Sequence, residues 1–173
     1  MNETLKLLEE RRSVRSYENK PVPEEDLKQI VEAGLYAPSA MGRQDAAVLV
    51  ITNRELRDAL ARENAAVMGS TADPFYGAPV VMVVIAKRSA TAIETGSAMI
   101  MNLIIAATSL GLASCWIHRA KEELESDFGR QLLEKAGYDP AIYQGIGNVI
   151  LGYDKGPLPT ARPRLPGRVA YLK

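Results

Sequence analysis

TGSAMIMNLIIAATSLGLASCWI, residues 95–117, runs without a single charged side chain. By length alone it could span a bilayer, which takes ~20 apolar residues. Its composition argues otherwise. Gly96, Ser97, Asn102, Thr108, Ser109 and Gly111 interrupt it, and Gly111 should stop the helix, leaving an apolar helix of about 15 residues. The mean hydropathy of the chain is −0.09. The stretch therefore reads as a buried helix followed by a strand over SCWI (114–117). A helix apolar on nearly every side must be covered on every side. A chain of 173 residues cannot easily do that alone, so a subunit interface is the expected cover.

Outward from this centre, short apolar runs alternate with amphipathic ones. AAVLVIT (46–52) reads as a strand, and VVMVVIA (80–86) as a second one, apolar on both faces and hence central. GNVILGY (147–153) reads as a fourth strand. Asn2 is a plausible N-cap for a first helix that shows Leu5 and Leu8 on one face. Pro23 suits the first position of a helix with Glu24, Glu25 and Asp26 in its first turn. The buried face of that helix is expected at Leu27, Ile30, Val31 and Leu35, and Pro38 ends it. Thr52 and Glu55 have the spacing of a capping box. DPFYGAP (73–79) is loop chemistry. Residues 120–136 read as one helix, with Leu124, Phe128 and Leu132 in register and Gly137 as the stop. The pattern predicts one α+β domain over residues 1–173, a central sheet flanked by helices.

Composition removes several function classes. The 21 basic and 21 acidic residues cancel, so no global field draws in nucleic acid or an anionic membrane, and neither is expected as a partner. The single cysteine, Cys115, excludes an intramolecular disulfide and fits a reducing compartment. One cysteine and one histidine, His118, cannot build a Cys/His zinc site, and no metal is expected. The N-terminus, MNETLKLLEERRS, is charged and amphipathic, unlike a signal peptide. A cytoplasmic protein is expected.

Two basic clusters stand out. Arg11-Arg12-Ser13-Val14-Arg15 sets three guanidinium groups and a hydroxyl in five residues, a suitable donor set for a small anion such as phosphate. By itself the segment reads more simply as a solvated helix end whose arginines favour the C-terminal dipole. Arg162, Arg164 and Arg168 lie among Pro163, Pro166 and Gly167, whose prolines limit flexibility. By itself this too reads as a loose terminus. Clusters at opposite ends of a net-neutral chain suggest convergence on one phosphate.

In order along the chain, five segments resemble the nitroreductase family. They are Arg11–Tyr17; Ala37-Pro38-Ser39-Ala40-Met41-Gly42-Arg43-Gln44; Glu94-Thr95-Gly96-Ser97 with Asn102 and the Leu110–Ile117 stretch; Gly145–Tyr153; and the Arg-Pro-Arg tail. The resemblance implies a nitroreductase-like fold in an interlocked homodimer, with two FMN sites at the interface. It implies ping-pong chemistry in which NADH or NADPH reduces FMN and a small-molecule electron acceptor then takes the electrons. FMN carries the reaction at its N5, and no side chain is implied as catalytic.

The implied roles are these. Arg11, Arg12 and Ser13 hold the FMN phosphate and ribityl chain, and Arg15 lies near N1 and O2 of the ring. Pro38, Ser39, Ala40 and Gln44 contact the ring from the partner subunit. The backbone at His118 and Arg119 faces N5 and O4, and Arg162, Arg164 and Arg168 close on the phosphate. Two residues depart from the family pattern. Gly42 stands where the family has Asn, and Asp45 where it has Pro, which leaves the ring contacts and acceptor pocket open.

The remaining motifs have plainer readings. Gly145-Ile146-Gly147-Asn148 lacks the third glycine and the following helix of a dinucleotide fingerprint, so NAD(P)H needs no fold of its own. Cys115 and Trp116 are expected in the core. Glu122, Glu123, Glu125 and Asp127 are expected on a solvated helix face. Residues 60–75 carry no readable motif, and the resemblance implies that they cover the pocket. The leading function is reduction of electron-poor acceptors such as nitroaromatics or quinones. Reductive dehalogenation, enoate reduction and a non-catalytic FMN storage or sensing module are the alternatives.

Overall fold

The computed structural model describes residues 2–173. Four strands, β1 (Ala46–Ile51), β2 (Val80–Lys87), β3 (Ala113–Ile117) and β4 (Tyr143–Gly152), form a sheet in the order β1-β2-β4-β3. Every pairing is antiparallel. The apolar run of β2 follows from its place between β1 and β4. Val81, Val83 and Ile85 enter one core and Val80, Met82 and Val84 the other. Each such fully buried side chain contributes about 1.5–3 kcal/mol relative to exposure.

The helices are α1 (Glu3–Glu10), α2 (Glu24–Leu35), α3 (Arg54–Val67), α4 (Ala92–Ser109), α5 (Ala120–Glu125) and α6 (Asp127–Lys135). One face of the sheet carries α3, α5 and α6 through Leu60, Ala61, Leu124, Leu132 and Leu133. The other carries α2 and α4 through Leu27, Ile30, Met99, Ile100, Leu103 and Ala107. Gly34 lets α2 approach Leu103 of α4, where an added Cβ would meet the leucine at 2.6 Å. Asn102 fixes the crossing by donating to the Ala33 carbonyl at 2.9 Å.

The uncharged run divides into helix and strand as its sequence implies, but α4 begins before the run, at Ala92, and is 18 residues long rather than about 15. After α4, Gly111 takes φ 73° and the chain reverses into β3. α4 is long and apolar enough to cross a membrane by length and composition alone. Its inner side packs on the sheet and α2, while Ile93 and Met101 face outward, 68% and 38% exposed.

Several local expectations shift. Pro23 is the N-cap of α2, one residue outside the helix. Leu35 is exposed because the buried stripe runs through Leu27, Ile30 and Gly34, and Leu35 lies further round. Asn53, not Thr52, caps α3: its side chain accepts from the Leu56 N–H at 2.9 Å. The helix expected over 120–136 breaks at Ser126, whose hydroxyl donates to the Glu123 carbonyl and accepts from the Gly129 N–H. Gly129 is required there, since a Cβ would stand 2.2 Å from the Glu123 carbonyl oxygen. β4 begins earlier than expected. Its register slips at Val84/Ile85, so that Ile146 has no partner between Gly145 and Gly147. The two glycines admit the Ala120 carbonyl and the Trp116 indole, both too close for a Cβ.

Candidate functional site

Residues 11–17 leave α1 and run beside the edge strand β3. Ser13 forms a parallel bridge with Ser114, and the Val14 N–H donates to the Ser114 carbonyl at 3.0 Å. Tyr17 is buried, donates to the Val14 carbonyl at 2.8 Å and bridges Asp154. Burial pushes its phenol well above the ordinary tyrosine range. Arg11 and Arg12 border a cleft of about 120 Å³ with Thr108, Gly111, Asp154 and Leu158. Arg12 donates to the carbonyls of Glu9, Arg11 and Pro159, the last at 3.1 Å, tying the segment to the start of the tail. Among the described residues, Arg11, Arg12, Arg15 and Arg119 form no ion pair, unlike Arg54 and Arg57.

A second cleft, of about 340 Å³, is bordered by Arg15, Trp116, His118 and Arg119 and by the loop from Met68 to Tyr76. Trp116 is 37% exposed and so belongs to this wall rather than the core. The alternation of β3 explains it: Ala113, Cys115 and Ile117 point into the α3/α5/α6 core, and Trp116 points the other way. Cys115 is buried as expected. Arg119 takes a left-handed φ of 73°. Among the described residues, neither the His118 nor the Arg119 N–H donates to a backbone or side-chain acceptor, so both donors are free for a ligand.

The turn rests on a buried polar cluster. The Asn64 amide nitrogen donates to the His118 carbonyl at 2.8 Å and to Glu123 Oε2 at 2.6 Å, and the Asn64 oxygen accepts from Arg119 Nε at 3.1 Å. Glu123 is thus not on a solvated face; it is fully buried. Burial pushes its carboxyl up to about 8, against the opposing pull of Asn64, Asn148 and Arg119. Asn148 lies close enough to lower that value, yet its side-chain atoms and Glu123 Oε1 have no well-formed bond among the described residues.

The loop wall has its own anchor. Asp73 accepts from the N–H groups of Phe75 and Gly77 and from Arg57 Nη2 at 2.6 Å. Arg57 is buried, and also donates to Asp58 and to the Ala78 carbonyl. Of residues 60–75, the part beyond α3 lines the cleft, while Leu60, Ala61 and Ala65 fill the core. Sequence reasoning missed Arg57, Asn64, Tyr76 and Glu123. A signal existed for two of them: Arg57 and Asn64 fall on the apolar stripe of α3 with Leu60 and Ala61.

Pro38, Ser39 and Gln44 lie elsewhere, in a recess of about 120 Å³ shared with Leu35, Thr95 and Met99. Ser39 Oγ accepts from the Gln44 N–H at 2.9 Å, and the Ala40 N–H reaches Thr95 Oγ1 at 3.5 Å. Met41, Gly42 and Gln44 take φ of 54°, 65° and 53°. Asn is among the residues that tolerate this conformation, so the backbone at Gly42 is one that an Asn could also adopt. Asp45 is buried, with Oδ1 unpartnered among the described residues. Arg162, Arg164 and Arg168 are exposed; Arg164 donates to the Arg162 carbonyl, and the contacts of Arg12 with the tail stop at Pro159. The recess shares no lining residue with either arginine cleft.

The profile of the Nitroreductase family matches residues 8–153. The chain belongs to the nitroreductase family. A crystal structure of a nitroreductase with bound FMN from Bacteroides fragilis superposes with a TM-score of 0.89 at 30% identity, covering 100% of both chains. A nitroreductase with bound FMN from Desulfitobacterium hafniense gives 0.88 at 28% identity, again over 100% of both. A relative from Archaeoglobus fulgidus, provisionally named NADH dehydrogenase/NAD(P)H nitroreductase, is 30% identical over 137 residues, 77% of each chain. The fold class inferred from the sequence is that of this oxidoreductase family.

Proposed function

We propose that this nitroreductase is an FMN-dependent homodimer that takes electrons from NADH or NADPH and passes them to small electron-poor acceptors such as nitroaromatics or quinones. The observation that carries the reading is the segment beside β3 that presents Arg11, Arg12 and Arg15, without ion pairs among the described residues, to two clefts, the second holding two free N–H donors. Arg11 and Arg12 in the first cleft suit a terminal phosphate, with Ser13 beside them in sequence. Arg15, Trp116 and the His118–Arg119 turn border a space that suits a flat ring. These residues fit FMN, whose ring supplies hydride chemistry at N5. The Arg15 guanidinium would favour negative charge spread over N1 and O2, and the His118 and Arg119 amides would bond the ring edge.

Pro38, Ser39 and Gln44 line a recess that shares no residue with the Arg15 cleft, and the reading assigns them, with Ala40, to the partner's site. The outward face of α4 and the exposed tail with Arg162, Arg164 and Arg168 are the surfaces available to cover it. With no dinucleotide-binding fold, donor and acceptor would use the same open cleft in turn, giving ping-pong kinetics. The test is to purify the protein, release and identify its flavin, bleach it anaerobically with each nicotinamide, and add a nitroaromatic or quinone. Bound FMN that bleaches and regains its colour supports the reading. FAD, or FMN that neither nicotinamide bleaches, overturns it, the latter outcome favouring a storage role.

A further inference from the structure

Buried polar side chains are costly unless their hydrogen bonds are made, on the order of 1–3 kcal/mol each by protein mutational measures. Asn64, Glu123 and Asn148 are all fully buried beneath the His118–Arg119 turn. The turn itself is strained, because a non-glycine residue at φ 73° costs roughly 1–2 kcal/mol. Asn64 spans the strained residue, gripping the carbonyl before it and the side chain of Arg119 itself. Its orientation is forced. Turned over, the amide would set its oxygen against the His118 carbonyl and its nitrogen against the Arg119 guanidinium. The bond to Glu123 Oε2 holds it the right way round, and the Glu123 N–H donates to the Arg119 carbonyl at 3.0 Å.

We propose that Asn64 and Glu123 form a buried latch that keeps Arg119 left-handed and aims the free N–H groups of His118 and Arg119 into the cleft. Both are positioning residues, since neither lines the cleft. The claim that the latch tunes a bound flavin rests on the functional reading above; the claim that it holds the turn does not.

Two measurements separate these claims. Amide exchange at Glu123, followed by NMR in flavin-free protein, reports the turn through the bond to the Arg119 carbonyl. The flavin midpoint in FMN-loaded protein reports the aim of the two donors. Asn64→Leu removes the latch. Asn64→Asp keeps the shape but lacks the donor, and serves if the leucine variant does not fold. Either should speed Glu123 exchange at least tenfold. In loaded protein, either should also cost about tenfold in preference for reduced over oxidised FMN, ~30 mV for a two-electron couple. Glu123→Gln retains one acceptor and one donor and should match the parent in both. Faster exchange with an unmoved midpoint supports the latch and overturns the flavin-facing role of the turn. Unchanged exchange in folded Asn64 variants overturns the latch.

Discussion

The His118–Arg119 turn and the Pro38–Gln44 loop both hold non-glycine residues in left-handed backbone, by different means. The turn is clamped from beneath by buried Asn64 and Glu123, so its shape is set before anything binds. The loop is tied by local bonds, from the Gly42 and Arg43 N–H groups to the Ser39 and Ala40 carbonyls and from the Gln44 N–H to the Ser39 hydroxyl, and by one long contact to Thr95, and Met41 is 79% exposed. A firm wall with free donors and a soft, exposed loop, on separate parts of one chain, are two halves that do not meet. On the proposed function, a complete site draws on a second copy, whose loop would be firmed by packing against the first.

The strongest way to break this comparison is to prevent assembly. Met101→Glu puts a charge on the outward face of α4, where an obligate dimer would bury about 2,000–5,000 Å² or more in all. The expected result is a folded monomer by light scattering that has lost FMN altogether. A monomer that retains stoichiometric FMN would show that one chain suffices.

The next effect concerns the firm half alone. The Glu123 carboxyl is raised from 4.5 to about 8 in the folded state, so the folded protein holds a proton that the unfolded chain releases. Its contribution to stability is complete below about pH 4.5 and is lost as pH rises to about 8, a loss of a few kcal/mol. Urea unfolding of flavin-free protein at pH 5 and pH 8.5 should show that loss. Glu123→Gln should flatten it while leaving the pH 5 value near the parent's. A variant with the parent's pH slope would mean that Glu123 is charged in the fold.

Smaller effects separate the phosphate end from the ring end. Arg12→Gln should weaken FMN about 10–100-fold, since a charge-assisted hydrogen bond contributes ~1.5–3 kcal/mol. Arg164→Gln should also weaken FMN without moving its midpoint. Arg15→Gln should instead lower the midpoint by tens of millivolts, at ~30 mV per 1.4 kcal/mol, because its charge acts on the reduced ring. An unmoved midpoint, by spectroelectrochemistry at saturating FMN, would remove Arg15 from the ring. At the soft half, Gly42→Asn meets open space at φ 65° and should change stability by less than ~1 kcal/mol, measured by thermal unfolding. A large loss would mean that the loop is more tightly held than its contacts indicate.

Much of this was legible in the chain. The two-faced apolar run of β2, the uncharged α4–β3 stretch and the turn at Gly111 follow from local periodicity and punctuation. The basic motif and its neighbours carry the family. What was hidden depends on contacts far apart in sequence. Glu123 stands among Glu122 and Glu125 and looks solvated until Asn64, on another helix, is brought against it. Trp116 looks like core until the alternation of β3 turns it to the face opposite Cys115, where it borders a cleft. The Ser126 break is invisible to periodicity because Leu124, Phe128 and Leu132 keep their spacing across it.

The most direct test of the two-half account is complementation. One variant carries Arg11→Gln and Arg12→Gln, the other Ser39→Ala and Gln44→Ala; each should be a folded dimer that binds FMN poorly. Unfolded together and refolded as a mixture, they should form mixed dimers in which one site receives both intact halves. Tight FMN binding by titration, absent from either variant refolded alone, is the predicted result. Mixed dimers that form but regain no tight site would contradict the account, because both halves would then have to come from the same chain.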